Sequence, residues 1–151
     1  MIILADVVWP SLFLGGRLFT WWIIVTGLVI EFFFILRLTR ATPFRAGLMT
    51  VVMNAVSTGI GIVGIPLSGI LWELIATVTI LPAFHWGTFN PVTWLVSCLL
   101  AALLNTVIEM GSLRLIFRVA WTKRLFWWLA LANMITVGMA MTSIMMQPPR
   151  A

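Results

Sequence analysis

Seven of the nine basic residues in this chain, Arg37, Arg40, Arg45, Arg114, Arg118, Lys123 and Arg124, fall in or beside two short gaps between long apolar runs. That distribution constrains the fold more than any motif does. A helix of about 20 apolar residues rises about 30 Å, the thickness of a bilayer's hydrocarbon core. Four such runs can be marked off: about Leu18 to Leu38, Ala46 to Ile65, Pro91 to Phe117 and Leu125 to Met146. Each is expected to be helical, because a segment surrounded by lipid has no water to satisfy its backbone N–H and C=O groups. With 62% hydrophobic and 9% charged residues and a mean hydropathy of +1.14, the 151 residues leave no material for a separate aqueous domain. An all-α integral membrane protein of four transmembrane helices is the expected fold.

Basic residues concentrate in cytoplasmic connections, so both gaps are expected to face the cytoplasm, in a bacterial inner membrane, with both termini on the periplasmic side. The outward segments then carry only Arg17 and Arg150 with Asp6 and Glu73. Tryptophans agree with this frame: Trp21, Trp22, Trp72, Trp86 and Trp94 lie near the outer edge, and Trp121, Trp127 and Trp128 near the inner one. The expected organisation is an amino-terminal outer arm (1–17), a first helical hairpin (18–65), an outer interfacial connection (66–90) and a second hairpin with a short tail (91–151). Pro66 and Pro82 bracket the outer connection, which is expected to lie along the interface as a short helix. Residues 1–16 lack the basic start and the Ala-x-Ala site of a cleavable leader.

The two hairpins carry the same residues at the same spacings. Glu31, Arg40, Arg45, Asn54, Ser57 and Gly59 are matched by Glu109, Arg118, Arg124, Asn133, Thr136 and Gly138. Only the turn differs, by one residue. Because each unit contains two spans, both copies enter the membrane in the same direction, which predicts a parallel repeat about a pseudo-twofold axis along the bilayer normal. In each copy the acid and the amide lie equal distances from the turn, so at ~1.5 Å per residue they are expected to sit level, about 8 to 14 Å from the cytoplasmic interface.

Helical spacing also gathers small and polar residues onto one inward seam: Glu31, Asn54, Ser57, Asn105, Glu109, Asn133 and Thr136. Such a seam serves close helix packing, with polar contacts worth about 0.6 kcal/mol each. A carboxylate near a helix centre costs more, about 2.5 to 3.5 kcal/mol on insertion scales. Two glutamates therefore point to protonated carboxyls, to a cationic partner such as Arg37 or Arg114, or to a cation that exchanges.

Catalytic and metal chemistry is sparse. His85 is the only histidine and Cys98 the only cysteine, which excludes an internal disulfide, a bis-histidine haem and a multi-histidine metal site within one chain. The run Ile65 to Gly69 (IPLSG) lacks the first glycine of a serine-nucleophile turn. Glycines 59, 61 and 64 have neither dinucleotide nor Walker spacing. No catalytic, cofactor-binding or metal-binding residue is expected. The net charge of +5 comes from the clusters beside apolar runs, not from a nucleic-acid patch. Expected contacts are the bilayer, other membrane subunits and bound lipid. The leading expectation is a non-catalytic accessory subunit of a larger membrane complex; the alternative is a small proton- or cation-coupled transporter using Glu31 and Glu109.

Overall fold

The computed structural model describes residues 14, 16–84 and 91–146, which are helical almost throughout, with no strand among them. In chain order the helices are α1 (Trp21–Thr39), α2 (Pro43–Val78), the five-residue α3 (Ile80–Phe84), α4 (Pro91–Phe117) and α5 (Lys123–Met146). All but α3 are long and apolar enough to cross a membrane, the architecture of a multi-pass membrane protein. Leu115 and Val78 turn more than three-quarters of their surface outward, 83% and 76%, as side chains in contact with lipid do. Asp6, His85, Trp86 and Arg150, on which parts of the sequence reading rest, lie outside the described residues.

Local chemistry sets the helix ends at both short turns. Thr42 caps α2, its hydroxyl accepting from Arg45 N at 3.4 Å, with Pro43 in the first turn where a missing N–H does no harm. Thr122 caps α5 the same way, accepting from Leu125 N at 3.2 Å. α1 runs into Arg40 at φ 54°, and α4 into Arg118 at φ 57°; these are the only non-glycine residues with positive φ among those described. A left-handed residue at this position turns the chain sharply out of the helix.

The four long helices form a closed ring. α1 packs on α2 and α5, and α4 packs on the same two helices, with the most extensive contact between α2 and α4. Arg45 Nη2 reaches Phe117 O at 3.4 Å, which brings the two basic turns to the same end of the bundle. Near that end one apolar core gathers Ile35, Met49, Met53, Met110, Leu113 and Leu129. A second, toward the other end, holds Leu14, Ile23, Ile65, Ala101, Val137 and Ile144. On every long helix the acid or amide falls between these two sets, so a polar layer separates them.

Close approach rests on small residues, since lipid supplies no hydrophobic drive between helices. A Cβ on Gly27 would meet Thr136 Oγ1 at 3.1 Å, and one on Gly64 would meet Leu104 Cδ2 at 2.9 Å.

One expected boundary is wrong. The second span does not stop at Ile65 before an interfacial segment; α2 continues through Pro66 for 36 residues in all. Its buried stripe carries on in register from Ile65 to Gly69, Glu73 and Ala76. Proline removes one N–H and crowds the carbonyl four residues back, which makes it a probable helix end in water. Inside a bundle neighbouring helices tolerate it, and the apolar sequence beyond Pro66 still has α4 to pack on, where Thr93 and Ser97 are buried.

Candidate functional site

Glu31 on α1 and Glu109 on α4 are both buried, 2% and 1% exposed, and each accepts from an asparagine of the following long helix. Asn54 on α2 donates through Nδ2 to Glu31 Oε2, and its other amide hydrogen goes to Thr50 O at 2.9 Å. Asn133 on α5 donates to Glu109 Oε2 at 2.7 Å and to Leu129 O at 3.2 Å. In both cases one hydrogen is held by the carbonyl four residues back, which fixes the carboxamide and aims the other at the acid. The equal height expected of each acid and amide is therefore what the structure has.

Ser57 joins the two pairs. Its hydroxyl lies 3.5 Å from Glu109 Oε1 and 3.2 Å from Asn54 O, so the layer runs from Glu31 through Asn54 and Ser57 to Glu109 and Asn133. Thr136, which the spacing equates with Ser57, behaves differently: its hydroxyl donates to Ala132 O at 3.1 Å. The partners found for the two carboxyls are amides and a hydroxyl, with neither Arg37 nor Arg114 among them.

A cavity of about 520 Å³ opens beside this layer. Glu31, Asn54, Ser57, Asn105, Asn133 and Thr136 border it, together with Phe19 just before α1 and apolar side chains of α1 and α2 that include Ile24, Leu28, Ile62 and Pro66. Among the described residues no lysine or arginine is on its wall. Six of the seven seam residues thus meet at one cavity. The seventh, Glu109, does not border it and is reached only through Ser57 and Asn133. The cavity lies within the ~300 to 1,000 Å³ range of small-molecule sites.

The seven basic residues are all at the end where the short turns meet, and Arg40, Arg45 and Arg118 border a second cavity of about 370 Å³ there. Sequence reasoning missed several buried polar side chains. Thr106 is fully buried with its hydroxyl on Ala102 O at 2.7 Å, a bond that any helical threonine can make and that no spacing announces. Glu73 is 3% exposed on the outer third of α2, a place visible only once the helix is known to pass Pro66. Among the described residues no three of histidine, cysteine, aspartate and glutamate are grouped to hold a metal ion. The site's chemistry is that of two carboxyls, their amide donors and whatever the cavity admits. Comparison with protein-family models, with curated proteins and with solved structures yields no match.

Proposed function

We propose that this protein is a small proton- or cation-coupled membrane carrier in which Glu31 is the exchanging group. The observation that carries this reading is the position of Glu31 on the wall of a cavity that also takes in apolar faces of α1 and α2. Two carboxyls in one buried layer, with no basic residue on the cavity wall among the described residues, require a proton or a cation for neutrality, because an uncompensated charge in an apolar interior is costly. A carboxyl that must take up one or the other, in reach of a cavity, is the minimum equipment of an exchanger. The accessory-subunit alternative draws on the apolar outer surface, which contact with lipid accounts for equally well.

The reading extends to architecture and placement. The chain is a duplicated two-helix unit, arranged as a parallel repeat about an axis along the bilayer normal. Support comes from the matched spacings, from Arg40 and Arg118 turning out of their helices with the same left-handed backbone, and from the two asparagine–glutamate bonds. The basic turns face the cytoplasm of a bacterial inner membrane and the termini face outward, as the bias of lysine and arginine favours.

Proteoliposomes test the exchange. Under an imposed pH gradient, an interior pH dye should report proton movement when Na⁺, K⁺ or tetraphenylphosphonium is added, and Glu31→Gln should abolish it. Silence of the wild-type protein toward all three cations, with a stoichiometric companion protein recovered from gently solubilised membranes, would replace the carrier by the subunit.

A further inference from the structure

The cavity between the two short turns has no place in the exchange reaction. It measures about 370 Å³ and is bordered by Arg40 from the first turn, Arg45 at the start of α2 and Arg118 from the second turn, with Thr122 adding a hydroxyl. All three guanidinium-bearing residues are exposed. Among the described residues no acid borders this cavity; Glu31, Glu73 and Glu109 are buried elsewhere in the bundle. Three cations from two separate connections thus converge on one hollow with no internal counter-charge. The turns are held against each other by Arg45 Nη2 on Phe117 O, and Val119 N closes back onto Leu113 O at 3.1 Å, so the second turn is a formed structure.

We infer that this hollow is a binding site for a phosphate-type anion. Guanidinium groups match phosphate oxygens with paired N–H donors, and basic pockets between transmembrane helices at the bilayer surface take anionic headgroups. The same chemistry is offered by an anionic phospholipid and by free phosphate. A phosphate seated between the turns would bridge the two hairpins, neutralising charges that otherwise repel across a gap spanned by the Arg45 side-chain bond to Phe117 O.

Native mass spectrometry of the full chain, released from nanodiscs of phosphatidylcholine mixed with phosphatidylglycerol, tests this. The wild-type protein should retain phosphatidylglycerol in preference to phosphatidylcholine. R40Q with R118Q should retain it roughly 30-fold less well, because two charge-assisted contacts to one phosphate are lost, and R37Q with R114Q should cost much less. The control is R37Q with R114Q, which removes the same net charge from the same end without touching the cavity. Inorganic phosphate, titrated against the retained lipid and separately against thermal unfolding, identifies the source. Protection by phosphate alone assigns the site to a free anion, and protection only by the lipid assigns it to a headgroup. Equal loss in the two double variants would reduce the effect to bulk charge and overturn the site, as would equal retention of both lipids by the wild type. If R40Q with R118Q does not fold, R40K with R118K keeps the charge and removes the planar fork; retention unchanged in that variant would also overturn it.

Discussion

Asn133 Nδ2 lies 2.7 Å from Glu109 Oε2, joining α5 to α4 at the one acid of the polar layer that does not border the cavity. Removing a buried donor leaves its acceptor unsatisfied, which costs more than the bond itself is worth. Asn133→Ala is expected to lower stability by about 1 to 2 kcal/mol. Asn54→Ala should lower it less, because Glu31 borders the cavity and water there takes over the lost bond. Thermal unfolding in detergent micelles checks the pair; equal losses would contradict the distinction between a sealed and an open acid.

The same inequality predicts separable effects on transport. Glu31→Gln removes the carboxyl in reach of the cavity and should reduce proton-coupled cation flux to background with the fold intact. Glu109→Gln should leave measurable flux, since that side chain meets the cavity only through Ser57 and Asn133. Flux from the proteoliposomes described above, normalised to folded protein, decides it. A Glu109→Gln protein as dead as Glu31→Gln would make the two acids a single unit.

Packing of α1 on α5 hinges on Gly27 and Thr136. A methyl group at position 27 would stand 3.1 Å from Thr136 Oγ1 and 3.4 Å from Cγ2, but 3.9 Å from Cβ. Gly27→Ala should therefore destabilise the bundle by about 1 to 3 kcal/mol. Adding Thr136→Ala removes the two crowding atoms and should recover most of that loss. A double-mutant cycle on unfolding midpoints reads the coupling, and additive losses would show that the two helices do not meet there.

Arg40 and Arg118 hold backbone conformations that L side chains resist, with φ of 54° and 57°. Glycine adopts them without steric cost, and after its larger entropy in the unfolded chain about 0.5 to 1 kcal/mol of stabilisation should remain for each of Arg40→Gly and Arg118→Gly. The comparison belongs in neutral detergent, where no anionic headgroup favours the arginines. Unfolding midpoints that fall would show that these side chains do more for the fold than their backbones cost.

Orientation is open to direct labelling. In a Cys98→Ser background, Ala41→Cys and Ala120→Cys place one thiol in each basic turn. A membrane-impermeant maleimide should modify both from the cytoplasmic side only. Labelling of one from each side would break the frame in which the two turns share an end.

Much of this architecture could be read from the residues alone. The expected third span, Pro91 to Phe117, coincides with α4, and the first and fourth fall within three residues of α1 and α5 at either end. Charge and proline mark those limits, and both act locally. The level pairing of each glutamate with its asparagine also followed from spacing, because the rise of a helix converts residue number into height. Height says nothing about lateral room. Whether an acid at a given depth meets a cavity or a neighbouring helix depends on where the ring of helices leaves space, and so Glu31 and Glu109, equivalent in sequence, differ in access. The course of α2 past Pro66 was hidden for a related reason: the tolerance of that proline belongs to the helices around it.

α2 has one further consequence. Its 36 residues extend about 54 Å, against about 28 Å for the 19 residues of α1 and ~30 Å for an average hydrocarbon core. Leu67, Leu71, Leu74 and Ile75, on its outer third, are exposed and apolar. One side of the protein therefore stands much taller than the other and demands either a tilted axis or longer acyl chains beside it. Each ångström of mismatch costs a fraction of a kcal/mol, so bilayer thickness itself becomes a variable to which this molecule responds.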